Sequence, residues 1–146
     1  MRTATIMLVG KDPDFKRRLR DLCDERGYLL VNAENDDAAM DLMKTRSIDL
    51  VIIASVVSSY SLEEWHLASR LRSLGHRLPI MALSGQSMPG DSLRAYSCGI
   101  DELLTSDIDF NIFHLYLDSH LKNTGKASYG KPMRHLKSAS EQRIPL

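Results

Sequence analysis

The run Leu50-Val51-Ile52-Ile53, preceded by Asp49 and closed by Ala54, constrains this chain more than any other stretch. Its consecutive apolar and mostly β-branched residues suit a strand covered on both faces, the setting of a central strand in a parallel sheet. Chemistry in an open parallel sheet sits just past the carboxyl ends of the strands. Ala54 holds that place here, and a methyl group can do no chemistry.

Around this run the chain alternates strand and helix patterns five times. Thr3 to Val9 reads as a first strand and Gly10-Lys11 as a turn. Asp12 is placed to cap a helix whose first residue is Pro13, a position where proline has no amide hydrogen to lose. That helix runs to about Arg26, with Phe15, Leu19, Leu22 and Cys23 on one face and Gly27 as its stop. Tyr28 to Ala33 is a second strand. A helix capped at Asn35 to Asp37 follows to about Arg46, burying Ala38, Ala39, Leu42 and Met43. After the central strand, Ser61 is placed to cap a helix over 62–74, with Trp65, Leu67, Ala68, Leu71 and Leu74 as apolar positions and Gly75 beyond. Leu78 to Leu83 is a fourth strand and 84–87 a loop. Pro89 to Cys98 is a short helix, and Asp101 to Thr105 a polar, edge-type strand. Asp107 to Lys122 is a last helix, with Phe113, Tyr116, Leu117 and Leu121 buried. Such alternation predicts an α/β fold, a parallel sheet with helices on both faces, joined by right-handed crossovers.

At 146 residues, with 43% hydrophobic and 26% charged, the chain suits one soluble domain and has no apolar run long enough for a bilayer. The pattern stops after residue 122. Residues 123–146 carry five cations against Glu141, a net of +4, leaving −4 for 1–122. The expected organisation is an acidic domain, 1–122, with a flexible basic tail, 123–146. Cys23 and Cys98 form no C-x-x-C motif and read as free thiols in a reducing cytoplasm. The five histidines show no metal-ligand spacing, and Val9-Gly10-Lys11 lacks the several glycines of a phosphate loop. No metal, cofactor or catalytic constellation is expected, and an enzyme is the least supported reading.

Four segments carry a more specific likeness: IMLVGKDPDFKRRL, IDLVIIA, LPIMALSG and YSCGIDELLTSDID. Together they make residues 3–122 resemble the response-regulator receiver domain of bacterial two-component phosphorelays. The resemblance implies a flavodoxin-like fold with strand order 2-1-3-4-5. It also implies the place of each functional group. The acidic pair that holds Mg²⁺ falls on Gly10 and Lys11, with Asp12 one position beyond. The phosphoacceptor falls on Ala54, the hydroxyl residue on Ser84, the switch aromatic on Leu103, the lysine on Ser106 and the proline on Asp107. Of the groups that make phosphorylation possible, the hydroxyl alone is retained.

Aspartyl phosphorylation needs a carboxylate nucleophile, and Mg²⁺ needs oxygen ligands. Neither Gly10, Lys11 nor Ala54 supplies one, so the resemblance implies a degenerate, phosphorylation-independent receiver that works by protein–protein contact. One expectation places the Lys11 ammonium in the space left by the metal, near Ser84; the alternative is a solvated lysine. Ser58, Ser59, Tyr60 and Ser61 form a hydroxyl-rich loop that a kinase could modify. The last helix has too many apolar residues for one buried stripe. Ile112, Leu115 and Tyr116, with Tyr96 and Leu103, are the expected contact face for a second copy or a protein partner, the family's usual face of fourth helix, fifth strand and fifth helix. Binding of a small molecule in the emptied pocket is the competing reading. Membrane insertion and nucleic-acid binding are not expected of a neutral chain whose tail has no aromatic stripe.

Overall fold

Local signals set the elements. Asp12 accepts hydrogen bonds from the amides of Asp14 (3.0 Å) and Phe15 (3.4 Å) and opens α1 (Pro13–Arg26), which Gly27 closes with φ 79°. The computed structural model describes residues 3–54, 65–85 and 90–123. Its strands are β1 (Thr5–Val9), β2 (Leu29–Ala33), β3 (Leu50–Ala54), β4 (Ile80–Ser84) and β5 (Glu102–Thr105). All pair in parallel, in the order β2-β1-β3-β4-β5, the flavodoxin-like receiver topology. The remaining helices are α2 (Asp36–Thr45), α3 (His66–Ser73), α4 (Asp91–Ser97) and α5 (Phe110–Asn123).

The two-residue period of the strands divides the core. Ile6, Leu8, Leu50 and Ile52 face α1 and α5, where Phe15, Leu19, Phe113 and Leu117 are buried against them. Met7, Val9, Val51 and Ile53 face the other side, with Ala39, Leu67, Leu71 and Ala95 from α2, α3 and α4. Each side chain of β3 is at most 9% exposed, so it is the doubly covered central strand. Phe15 packs edge-on to Phe110 (5.5 Å) and Phe113 (6.0 Å), tying α1 to α5.

Buried polar groups pin the rest. Asp118 on α5 accepts from the Tyr28 hydroxyl at 2.6 Å and pairs with Arg26, joining α5 to the end of α1 and the start of β2. Asp49 accepts from the Thr5 amide at 2.8 Å. Arg72 donates to the carbonyls of Gly99 (3.0 Å), His76 (3.0 Å) and Leu78 (2.7 Å) and pairs with Asp101 at 2.8 Å. One guanidinium thus fastens α3, the turn after it and the entry to β5.

Several expectations shift. Ser61, the loop 58–61 and Pro89 lie outside the described residues, so α3 is described from His66 and α4 from Asp91. Leu74 follows the last turn of α3 and is 62% exposed. Ala38, Leu42 and Met43 are half-buried, because α2 lies over the edge strand β2, which covers less of it. α5 starts at Phe110, not Asp107: Asp109 accepts from the Asn111 amide at 2.9 Å and the chain turns before it. Tyr116 is half-buried, while Phe113, Leu117 and Leu121 are fully buried. α5 extends to Asn123, and residues 124–146 lie outside the description.

Candidate functional site

The carboxyl ends of β1, β3 and β4 converge on a cleft of about 130 Å³ lined by Asp12, Asp14, Phe15, Arg18, Ala54, Leu83 and Ser106. Parallel pairing builds it: Val9 is in register with Ile53, and Ala54 with Leu83, so residues 10 and 54 lie side by side. Gly10 sits between two strand ends. Its amide donates to the Ala33 carbonyl at 3.0 Å, and Asn32 Nδ2 reaches the carbonyls of Leu8 (2.9 Å) and Gly10 (3.4 Å). A β-carbon on Gly10 would lie 2.4 Å from the Ala54 carbonyl oxygen. A side chain at position 10 would therefore meet the backbone of β3 unless the strands shifted.

Of the predicted pocket residues, Asp12, Ala54 and Ser106 line the cleft together. Ser84 is buried at the end of β4, and its carbonyl accepts from the Ser106 amide at 2.8 Å. Lys11 is exposed and does not line the cleft, which favours the solvated reading over an ammonium in the pocket. The charge that does reach the cleft is Arg18, lying 4.2 Å from the Phe110 ring centroid. Sequence reasoning passed over Arg18; the signal was its spacing, one helical turn beyond Asp14 on a capped helix.

A metal fits this site poorly. Gly10 has no donor, Ala54 has none, and one oxygen of Asp12 already caps α1. Asp14 pairs with Arg17 at 2.6 Å, and the Arg18 cation lines the same cleft. A divalent ion would meet a guanidinium where it needs carboxylate oxygens.

The expected contact face divides. Ile112 (48% exposed), Leu115 (58%) and Tyr116 line a groove of about 280 Å³ with Glu102, Ser119 and His120. His120 Nε2 lies 3.1 Å from Glu102 Oε1 and holds α5 to β5 there. Tyr96 is exposed but lines a different cleft, with Arg72, His76 and Arg77 beside the turn after α3. Leu103 is half-buried and packs on the core under α3 and α4. Tyr96 is not among the residues that line the α5 groove.

The family model for the response regulator receiver domain matches residues 6–117. The chain belongs to that family. Among curated relatives, the receiver domain is 24% identical over 107 residues to the sensor histidine kinase RcsC of Salmonella typhimurium, covering 73% of this chain and 11% of that much longer protein. Among solved structures, it superposes on a two-component response regulator from Clostridium difficile with TM-score 0.73 and 20% identity, over 84% of this chain and 98% of that one. It also matches the receiver domain of the sensor histidine kinase PA1611 from Pseudomonas aeruginosa, solved with magnesium in its active-site cleft: TM-score 0.68, 17% identity, 83% of this chain and 99% of that one. At these identities the structural likeness establishes the fold, and the site must be judged from this receiver domain's own residues.

Proposed function

We propose that this receiver domain acts without phosphorylation, as a cytoplasmic protein–protein contact module in bacterial two-component signalling, and catalyses no reaction itself. The observation that carries the reading is the approach of Gly10 to the Ala54 carbonyl, which leaves no room for a side chain where a metal-binding carboxylate would stand. The PA1611 receiver domain holds magnesium in its cleft; this cleft offers Arg18 and a capping aspartate. A phosphoryl group would find no carboxylate at position 54 to attack it, and among the described residues lining the cleft the cation available to stabilise it is Arg18. Two free cysteines suit a reducing compartment.

What remains for signalling is surface, and the exposed Ile112 and Leu115 beside Tyr116 form the patch we assign to a protein partner or second copy. A small-molecule sensor is the weaker reading, because a cleft of about 130 Å³ is below the ~300 Å³ at which ligand sites usually begin.

The test is incubation with acetyl phosphate and Mg²⁺, followed by intact mass, for the wild-type chain and Ala54→Asp. Neither should gain a phosphoryl group, since restoring the nucleophile leaves the metal site unrestored. A magnesium-dependent phosphoryl adduct on the wild-type chain overturns the proposal.

A further inference from the structure

A larger cleft, of about 600 Å³, lies at the opposite end of the sheet, where the chain enters β4 and β5. The turn after α3 gives it Gly75, His76 and Arg77, α4 gives it Tyr96, and the entry to β5 gives it Asp101, beside Arg72 of α3. Its volume falls within the ~300–1,000 Å³ of ligand sites, which the receiver cleft of about 130 Å³ does not reach.

One wall is fixed. The Arg72 guanidinium is held by the carbonyls of Gly99, His76 and Leu78 and by Asp101. A β-carbon on Gly99 would lie 2.5 Å from Arg72 Cγ, so glycine there lets the arginine lie against the turn. At Gly75 the reverse holds: nothing stands within 4 Å of the place of a β-carbon, and the cleft is open. Asp101 Oδ2 accepts from Arg72 and from the Ile80 amide, both at 2.8 Å. Its Oδ1 accepts no hydrogen bond among the described residues.

Three other lining groups are unengaged. Among the described residues the Arg77 guanidinium, the His76 ring and the Tyr96 hydroxyl make no hydrogen bond or ion pair. Tyr96 is 70% exposed. An exposed tyrosine beside an unpaired arginine is the pairing that dominates recognition surfaces.

Their chemistry selects a ligand. A guanidinium donates two parallel hydrogen bonds to a phosphate, and the His76 ring offers a further donor. The Tyr96 ring offers a face for a planar heterocycle. Asp101 Oδ1 requires an N–H or O–H donor. A nucleotide carries all three partners: a phosphate, a base, and sugar hydroxyls or a base amino group. A nucleoside lacks the first, and inorganic phosphate lacks the base.

We propose that this cleft binds a nucleotide, with its phosphate on Arg77 and His76, its base on Tyr96, and a donor of its sugar or base on Asp101. The site uses no residue of the receiver cleft, so it stands whether or not the domain accepts a phosphoryl group.

The test titrates the full chain with AMP, GMP, CMP and UMP, then with the matching nucleoside and with inorganic phosphate, and follows ¹H–¹⁵N NMR spectra. At least one nucleotide should move the amide signals of Gly75, His76, Arg77, Tyr96 and Gly99 saturably. The nucleoside and inorganic phosphate should each bind about tenfold more weakly or worse, the loss expected for one missing charge-assisted or stacking partner. Arg77→Ala and Tyr96→Ala change exposed side chains and should leave the rest of the spectrum in place. Each should weaken the nucleotide about tenfold. No saturable shift with any of the nucleotides at ~5 mM overturns the proposal, because a Kd of ~1 mM would fill most sites there. Nucleoside or inorganic phosphate binding as tightly as the nucleotide overturns it too. So does an affinity unchanged by either substitution, or a set of shifts confined to Asp12, Arg18 and Ser106.

Discussion

Adding one methyl group at Gly10 should cost this domain more than the same change at any glycine in open space. The β-carbon of Gly10→Ala would lie 2.4 Å from the Ala54 carbonyl oxygen, against a limit of 3.0 Å that real β-carbons essentially never breach. The obstructing atom is backbone in the central strand, so it cannot swing aside as a side-chain tip would; β1 and β3 must part. Overpacking of this kind costs about 1–3 kcal/mol. The φ of 157° adds strain for any L side chain, of the order of 1–3 kcal/mol. A total near ~3 kcal/mol, with a urea m-value of about 2 kcal/mol per molar, moves the unfolding midpoint down by ~1.5 M. Gly75→Ala is the control: its φ is 92°, but nothing lies within 4 Å of the added carbon. That variant pays conformational strain alone, about 1 kcal/mol, or ~0.5 M. Urea melts of the two variants, followed by circular dichroism and compared at equal m, decide the matter. If Gly10→Ala is no less stable than Gly75→Ala, the close approach is not real and the argument that this position excludes a carboxylate fails. Gly10→Asp must fit the same β-carbon and sets a carboxylate against a carbonyl oxygen besides.

Two further outcomes can be stated. Arg72→Ala should cost about 3 kcal/mol, because three carbonyls and Asp101 lose one shared donor; Arg72→Lys should recover less than half, since an ammonium cannot span those acceptors, and a urea melt within error of wild type would refute the clamp. Cys23 is fully buried and its thiol is pushed up to about 12 by burial first and the Asp24 charge second, so at pH 8 only ~10⁻⁴ of it is thiolate. A disulfide reagent should label the half-buried Cys98 in the native chain and Cys23 only after unfolding, and rapid native labelling of both would refute this. Because the folded value lies above the unfolded 9.0, the stability Cys23 contributes is intact below pH 9 and is lost as pH rises toward 12; Cys23→Val should remove that part of the alkaline decline.

What the sequence revealed follows from the range of the forces involved. α1 was readable to the residue because its start and stop are local: Asp12 bonds amides two and three residues on, and Gly27 takes the left-handed turn itself. The buried faces of α1 and α5 were readable from the helical period, and the sheet order from the receiver resemblance. The start of α5 was misplaced because Asp107 and Asp109 are both plausible caps, and the turn at 108–109 decides between them. Contacts distant in sequence left no local mark: Asp118 with Tyr28, Asp49 with Thr5, and the four acceptors of Arg72. The residues of the cleft were readable through the receiver resemblance, but the close approach at Gly10 was not, since that depends on how near β3 passes to β1. That Tyr96, expected beside Ile112 and Leu115, also borders the cleft at the turn after α3 was not readable either, because that corner is fixed by packing.

The same geometry explains how this cleft is stable with so few carboxylates. A cluster of carboxylates at one pocket repels itself and needs a cation to be stable. Here the residues at the carboxyl ends of β1 and β3 serve folding. Asp12 caps a helix, Ala54 is 9% exposed and joins the core beneath α1 and α5, and Gly10 lets β3 approach. Gly10 and Ala54 place no charge where burial would make one costly, and the Asp12 carboxylate is held by the amides at the start of α1. Ala54→Asp would place a carboxylate in a cleft whose other carboxylates, Asp12 and Asp14, already cap α1 and pair with Arg17, and Gly10→Asp must first move a strand. The two changes are therefore coupled through the Gly10–Ala54 contact, and their effects on stability in a double variant should not add.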